Sequence, residues 1–251
     1  PKGLRLRILS TADLHGHLLP WDYYAARPAP AMGLAQAGAL IRRLRAEAPG
    51  GAALLLDDGD MLTGSLLADR MAAGRDAAGP HPVVAAMNAL GYDAAALGNH
   101  DLDLGLGPLR EALAKARFPV LCANLLGPGG APLVAPWAIL EREARDGDGG
   151  RHRLRIGVLG LAPPQTADWA RLALGGAVRG RDMVEAGAEA AAALRAAGAD
   201  LVVGLCHTGI GVEAGPPGME NAGLPLARAA GIDALVLGHT HRVFPGPGWE
   251  E

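Results

Sequence analysis

The chain has 251 residues, of which 50% are hydrophobic, and its formal net charge at pH 7 is −3. This length suffices for one large α/β domain or two small ones, whereas the small negative charge without basic runs argues against duplex nucleic acid or a membrane surface as a partner. No apolar stretch approaches the ~18 residues that suggest a spanning helix. The two cysteines, Cys122 and Cys206, make no disulfide framework, and both are expected to be small buried residues.

Short apolar runs alternate with helical periodicity along the chain, which predicts an α/β fold. Strands are predicted over residues 4–9, 53–56, 94–97, 120–124, 137–141, 153–159, 201–205 and 234–237. Helices are predicted over residues 33–47, 83–90, 106–116, 182–197 and 221–230. Residues 142–151 are charged and glycine-rich, which predicts an exposed hairpin tip or a short insertion.

Five polar clusters directly follow five of these strands. They are Asp13-Leu14-His15, Gly59-Asp60, Gly98-Asn99-His100-Asp101, His207, and Gly238-His239-Thr240-His241. Loops at the carboxyl ends of strands in an α/β sheet share one edge and hold the ligand site. We therefore expect these side chains, which are far apart in sequence, to converge.

The types and spacing of these residues are typical of a metal site. Asp13 and His15 are two residues apart, as are His239 and His241, and this spacing puts both side chains on one face of an extended segment. Asp60 has two carboxylate oxygens and can bridge two metals. Mixed imidazole and carboxylate ligands suit manganese, iron, cobalt or zinc better than calcium or magnesium. A pair of such metals is suited to the hydrolysis of a phosphate ester.

Other polar residues near the motifs have simpler interpretations. Asp57 and Asp58 are expected to support a turn and not to bind metal, and Asp101 is expected to be exposed or to cap a turn. Tyr23 and Tyr24 have two open interpretations: they shape the mouth of a substrate site, or they pack against the domain. Asp-x-His alone is weak evidence for a metal site, and Gly-His-x-His after an apolar strand is stronger. All five motifs in order, each at a strand end, favour a metal site over a structural interpretation.

The five motifs, in this order, resemble those of the calcineurin-like metallophosphoesterases, and more closely those of the 5′-nucleotidase branch. Within that branch the chain is similar to the catalytic domain of bacterial 2′,3′-cyclic-nucleotide 2′-phosphodiesterase/3′-nucleotidases. That narrower resemblance rests on residues 11–16, 21–24, 59–65, 81–83, 163–165 and 243–246. It implies a layered α/β sandwich of two mixed β-sheets flanked by helices, with residues 1–251 as one catalytic domain.

The resemblance also implies a role for each site residue. One metal would be held by Asp13, His15, Asp60 and His241. The second metal would be held by Asp60, Asn99, His207 and His239. His100 would protonate the leaving oxygen or stabilise the transferring phosphoryl group, and Asp103 would orient His100. A hydroxide bridging the two divalent metals, with manganese favoured, would attack phosphorus in line. The expected partner is a small nucleotide substrate.

Two positions depart from the pattern of the family. Asp103 matches the 5′-nucleotidases, whereas the cyclic phosphodiesterases often have Asn there. His17 stands where Asn is common, so that this side chain could reach the pocket. A 5′-nucleotidase or a nucleotide-sugar hydrolase therefore remains an alternative. A metal-loaded binding domain with little turnover is a second alternative, of another class.

The family usually has a C-terminal domain that stacks the nucleobase between aromatic rings. No segment of this chain corresponds to it, and aromatic residues make up 4% of the sequence. We therefore expect a catalytic fragment of a longer protein. The sequence opens almost directly on a predicted strand without a recognisable signal peptide, which leaves a cytoplasmic protein or a removed leader. The resemblance implies a periplasmic or secreted protein.

Overall fold

The computed structural model of the protein describes residues 3–48, 50, 52–72, 79–229, 231–244 and 246. Its strands are β1 (Arg7–Thr11), β2 (Trp21–Asp22), β3 (Arg27–Pro28), β4 (Ala53–Asp57), β5 (Ala94–Ala96), β6 (Val120–Leu121), β7 (Leu125–Leu126), β8 (Trp137–Arg145), β9 (Arg151–Leu161), β10 (Arg179–Gly180), β11 (Leu201–Cys206) and β12 (Ala234–Leu237). Its α-helices are α1 (Leu34–Ala46), α2 (Leu66–Ala72), α3 (Pro82–Leu90), α4 (Leu106–Leu113), α5 (Thr166–Trp169), α6 (Arg171–Leu174), α7 (Met183–Ala196) and α8 (Gly223–Ala227).

Two four-stranded sheets dominate the fold. The first has the order β1-β4-β5-β6, and all of its strands are parallel. The second has the order β12-β11-β9-β8, in which β8 alone runs antiparallel to its neighbour. The layered α/β sandwich predicted from the sequence is confirmed. The first sheet differs from the expected mixed sheet because helices lie between its successive strands, and helical crossovers join parallel strands.

Each sheet buries both of its faces, because alternate residues of a strand point to opposite sides. Leu54 and Leu56 of β4 pack between the sheets against Val203 and Leu205 of β11, while Leu55 faces a core shared with α1, α3 and α4. The outer face of the second sheet is covered by α7 and α8. The result is four layers in the order helix, sheet, sheet, helix.

The two sheets are joined at the carboxyl ends of β6 and β9. The side chain of Asn124 is fully buried and accepts a hydrogen bond from the backbone N–H of Ala162 at 3.0 Å, while its amide donates to the Ala162 carbonyl at 2.7 Å. The backbone N–H of Ala123 donates to the carbonyl of Gly160 at 2.7 Å. These bonds fix the two sheets relative to each other beside the loops that carry the polar motifs.

Gly160 is expected to tolerate no side chain, because a Cβ at this position would lie 2.2 Å from the carbonyl oxygen of Leu121. Gly160→Ala should lower the free energy of unfolding by at least about 2 kcal/mol, measured by urea denaturation, since the backbone of the facing strand must move. Gly107→Ala in α4 is the matched control, as its Cβ would meet no atom within 4 Å. Equal stability of Gly160→Ala and the wild type would contradict this close packing.

The predicted elements agree with the structure in type and differ in length. The strand over residues 234–237 is found as predicted, whereas β8 continues to Arg145, so the turn is shorter than the predicted segment 142–151. Residue 245 of the motif at 243–246 lies outside the described residues, as does residue 230 at the end of the predicted helix over 221–230. Among the described residues, no helix has both the length and the apolar character required to cross a membrane.

Candidate metal centre

The five polar motifs follow β1, β4, β5, β11 and β12, and they lie at the carboxyl ends of the two sheets. The loops after β1 and β4 run alongside each other: the N–H of Asp13 donates to the Gly59 carbonyl at 3.0 Å, and that of His15 to the Asp60 carbonyl at 2.8 Å. The loop after β12 joins them, because the N–H of His239 donates to the Asp13 carboxylate at 3.1 Å. The convergence expected from the strand order is therefore present.

The backbone is strained at most of the predicted metal ligands. Positive φ angles are found at Asp13 (54°), His15 (45°), Asp60 (56°), His239 (70°) and His241 (54°). Ala26 is the other non-glycine residue with this conformation among those described. Such left-handed residues each cost about 1–3 kcal/mol and cluster at functional sites. The strain therefore marks these loops as functional independently of their side chains.

Asp101 holds the loop that carries Asp60. Its carboxylate accepts hydrogen bonds of 2.9–3.0 Å from the backbone N–H groups of Asp60, Met61, Leu62 and Gly98. The side chain is 2% exposed, and burial, together with the charge of Asp60, raises its pKa to about 6. Of the two expectations for Asp101, an exposed or a capping carboxylate, the capping one is found, because the carboxylate caps a loop that folds over it and removes it from solvent.

Asp13, His15 and His241 form a first group of candidate ligands. The Nε2 atom of His241 lies 3.1 Å from Nε2 of His15 and 3.3 Å from Oδ1 of Asp13. The three ligand atoms all lie within 4.8 Å of one another. Nδ1 of His15 is 3.0 Å from the carbonyl oxygen of Thr63, to which it donates. This bond leaves the Nε2 lone pair of His15 for a cation.

Asp13, Asp60 and His207 form a second group, with ligand atoms again within 4.8 Å of one another. Nε2 of His207 lies 3.0 Å from Oδ2 of Asp60 and 3.9 Å from Oδ1 of Asp13, but it makes no hydrogen bond of proper geometry. Nδ1 of His207 donates to the carbonyl of Asp58 at 2.8 Å. His207 is thus fully buried with its Nε2 atom directed at two carboxylates.

Negative charge is concentrated at this second group. Burial opposes the charged form of His207, but contact with Asp60 and the charges of Asp58 and Asp13 outweigh burial and raise its pKa to about 10. Burial opposes ionisation of Asp60 as well, but His207 outweighs it and lowers the pKa of Asp60. Burial raises the pKa of Asp58, whose two carboxylate oxygens are buried without a hydrogen-bond partner. A bound divalent cation would neutralise this charge.

Asn99 and His239 are the other two predicted ligands of the second ion. Oδ1 of Asn99 is buried and has no hydrogen-bond partner, as expected of an oxygen that binds a cation. The ring of His239 lies 5.3 Å from that of His207, but its Nε2 atom is 2.8 Å from Oε1 of Glu220. Among the described residues, the structure thus places Asp13, and neither ring nitrogen of His239, in one group with Asp60 and His207.

His100 and Asp103 form a hydrogen-bonded pair at the rim of the site. Nδ1 of His100 lies 2.7 Å from Oδ2 of Asp103, and the His100 ring is 5.4 Å from that of His15. The backbone N–H of His100 donates to Oδ1 of Asp60 at 2.8 Å. The hydrogen bond with Asp103 raises the pKa of His100 against the opposing effect of burial. Both side chains are about half exposed, so a substrate can reach them.

The residues present fit divalent metal ions. Two groups of oxygen and nitrogen atoms converge, and His15 and His207 each have Nδ1 fixed by a backbone carbonyl. The buried Oδ1 of Asn99 and Nε2 of His207 lack hydrogen-bond partners, which buried polar atoms otherwise have. Metal ligation would give such atoms a partner.

Sequence reasoning missed Glu220 and Trp169. Glu220 contacts His239 as described, and the exposed indole of Trp169 stacks on the His239 ring at 5.9 Å with an interplanar angle of 20°. Neither residue lies in a motif. His17 has a buried Nδ1 without a partner, and Tyr23 and Tyr24 are exposed in the turn between β2 and β3. Their proposed contact with a substrate stays a prediction.

The profile of the calcineurin-like phosphoesterases matches residues 6–243. The chain belongs to the calcineurin-like phosphoesterase family. The phosphoesterase chain is 39% identical over 242 residues to a 2′,3′-cyclic-nucleotide 2′-phosphodiesterase/3′-nucleotidase of Yersinia enterocolitica, covering 96% of this chain and 37% of the relative. It is 33% identical to a 5′-nucleotidase of Vibrio cholerae, with 95% of this chain and 40% of the relative covered.

Solved structures give the same result. The crystal structure of the calcineurin-like phosphoesterase YfkN from Bacillus subtilis superposes with a TM-score of 0.93 at 34% identity, covering 98% of this chain and 75% of that one. A 5′-nucleotidase precursor from Thermus thermophilus superposes with a TM-score of 0.70 at 32% identity, and the match covers 96% of this chain and 43% of that one. The phosphoesterase chain spans 17% to 37% of the length of the first four curated relatives.

Proposed function

We propose that this chain is the catalytic part of a dimetal hydrolase of nucleotide phosphate esters, acting as a 2′,3′-cyclic-nucleotide 2′-phosphodiesterase/3′-nucleotidase. The observation that carries the proposal is the convergence of Asp13, Asp60 and His207, from three separate strand ends, with their ligand atoms within 4.8 Å. Similarity to the phosphodiesterases over 96% of the chain supports the same substrate class.

In this proposal Asp60 would be a ligand of both ions. Asp13, His15 and His241 would hold the first ion with Asp60, and Asn99, His207 and His239 would hold the second. When bound, two divalent ions neutralise charge on phosphate oxygens and lower the pKa of water from ~15.7 toward ~7. The chain's own residues fix this arrangement beforehand, because backbone carbonyls orient His15 and His207, and Asp101 fixes the Asp60 loop.

His100 supplies the proton in this proposal. Its Nδ1 is held by Asp103, so the other ring nitrogen is left to donate to the leaving oxygen of the ester. In a 2′,3′-cyclic nucleotide the 2′ bond would open first and give a 3′-nucleotide, and phosphate would then be released.

Replacement of His100 by alanine should lower kcat for 2′,3′-cyclic AMP by about 10²–10⁴-fold, the usual contribution of a general acid. Both metal equivalents should still bind, because His100 is not one of the proposed ligands. The measurement is steady-state kinetics of manganese-reloaded protein together with metal analysis.

His152→Ala is the matched control for His100→Ala. His152 pairs with Asp146 at 2.8 Å, as His100 pairs with Asp103, but it lies beside the β8–β9 turn at the opposite end of the sheet. Its loss should leave kcat unchanged. If His100→Ala retains kcat within about threefold of the wild type, the proton-donor role is wrong.

A 5′-nucleotidase or nucleotide-sugar hydrolase is the second candidate, favoured by Asp103 at a position where the cyclic phosphodiesterases often have Asn. The test is product analysis with 2′,3′-cyclic AMP, 3′-AMP, 5′-AMP and UDP-glucose on metal-stripped protein reloaded with Mn²⁺. The proposal expects turnover of the first two substrates. Turnover of 5′-AMP without turnover of the cyclic nucleotide would favour the second candidate.

Three further features belong to the proposal. Manganese is the proposed ion, out of the four metals (manganese, iron, cobalt and zinc) that suit a ligand set of imidazole and carboxylate. A C-terminal domain of the full-length protein would hold the nucleoside, which is consistent with a chain that spans 37% of its Yersinia relative. The proposed compartment is the periplasm, to be tested by fractionation of cells. If the chain binds two metals but hydrolyses only bis-p-nitrophenyl phosphate and no nucleotide, it is a metal-loaded domain that lacks the part that binds the nucleoside.

A further inference from the structure

Three residues contact His239. Glu220 and Trp169 lie outside the metal-binding motifs, and Asp13 is itself a predicted ligand. Its Nε2 atom lies 2.8 Å from Oε1 of Glu220, and its ring stacks on Trp169 at 5.9 Å. Its backbone N–H donates to the carboxylate of Asp13. The position and the rotation of this ring are therefore fixed by the protein.

Glu220 is itself anchored to the loop that carries His207. The hydroxyl of Thr208 donates to the carbonyl of Glu220 at 2.7 Å and accepts from the N–H of Ala222 at 2.9 Å. The N–H of Gly209 donates to Oδ1 of Asn221 at 3.1 Å. Glu220 is thus tied to the residue that follows His207, and its carboxylate connects the β11 loop to the β12 loop.

The hydrogen bond of Glu220 determines which nitrogen of His239 is available. A carboxylate only accepts, so Nε2 of His239 carries the proton. His15 and His207 have the opposite arrangement, in which Nδ1 donates to a backbone carbonyl and Nε2 faces the other candidate ligands. A histidine that binds a metal usually donates its other ring N–H to a carboxylate or carbonyl. The free nitrogen of His239 is therefore Nδ1.

We propose that Glu220 is a positioning residue that keeps the proton of His239 on Nε2 and thereby presents Nδ1 to the second cation. The inference rests on the proposed function, because it takes His239 as a ligand together with Asp60, Asn99 and His207.

The test is Mn²⁺ binding to metal-stripped protein in competition with a fluorescent chelator, which separates the affinities of the two equivalents. Glu220→Ala should weaken one equivalent by about 10–100-fold and leave the other unchanged. Glu220→Gln keeps an acceptor oxygen and should recover most of that loss. Glu213→Ala is the matched control, because Glu213 lies in the same loop and pairs with Arg228 away from His239.

A second readout identifies the nitrogen directly. In Zn²⁺-loaded protein with ¹⁵N-labelled histidine, the ring of His239 should have its metal-bound nitrogen at Nδ1 and its proton at Nε2. Metal bound at Nε2, or unchanged affinities in Glu220→Ala, would overturn the proposal. Equal weakening of both equivalents would also overturn it, since that result indicates a general structural role. A wild-type chain that binds fewer than two ions would contradict the proposed function itself.

Discussion

Replacing Asp60 by asparagine is expected to lower kcat/KM for phosphate ester hydrolysis by at least about 10³-fold, which corresponds to ~4 kcal/mol. Asp60 is 1% exposed, and its Oδ2 lies 3.0 Å from Nε2 of His207 and 3.8 Å from Nε2 of His15. One carboxylate thus faces both groups of proposed ligands. Asparagine keeps the volume but loses the charge and one oxygen, so that it can no longer serve two cations.

Metal analysis by mass spectrometry should find fewer than two ions per chain in Asp60→Asn. Asp148→Asn is the control, because Asp148 lies in the turn before β9 and the site lies beyond the carboxyl end of that strand. The strand separates them by roughly 35 Å. If Asp60→Asn binds two ions and keeps kcat/KM within tenfold of the wild type, then Asp60 does not bridge the metals.

Replacing Asp101 by alanine is expected to lower the free energy of unfolding by at least about 3 kcal/mol. The carboxylate accepts from four backbone N–H groups, three of them in the consecutive residues 60–62. Each buried N–H left without a partner costs about 1–3 kcal/mol. Activity should fall as well, because a shift of ~1 Å in a catalytic group can cost about 10²-fold.

The control for Asp101 is a carboxylate that also accepts hydrogen bonds from backbone N–H groups, but in a turn that solvent can reach. Asp146 accepts from the N–H groups of Asp148 and Gly150 at 2.9 and 2.8 Å in the exposed β8–β9 turn. Solvent can replace those bonds, so Asp146→Ala should cost less than ~1 kcal/mol. Equal losses of stability in the two variants, measured by urea denaturation, would show that burial of Asp101 does not matter.

The fold was largely predictable because its strands are apolar runs with clear boundaries. Residues 234–237 form β12 as predicted, and residues 201–205 differ from β11 by one residue. The convergence of the polar motifs followed from a general property of α/β sheets and not from their spacing alone. Conversely, the pattern of apolar residues did not indicate that β8 continues through charged residues to Arg145, since its pairing with β9 is a tertiary interaction.

Supporting side chains were less predictable than the motifs themselves. Asp101 sits in a motif, but the loop 60–62 that buries it lies about 40 residues earlier in sequence. Glu220 follows a loop rich in glycine and proline and reaches His239, 19 residues further along the chain, across the site. Such contacts depend on how two loops meet, and local sequence does not encode this.

Two cations are proposed to bind between these loops and to share Asp60. An anomalous difference map from crystals of this chain, grown with Mn²⁺ and measured near the manganese absorption edge, would locate them. We expect two peaks that both contact the carboxylate of Asp60, one beside His15 and His241 and the other beside Asn99, His207 and His239. A single peak, or peaks away from Asp60, would contradict it.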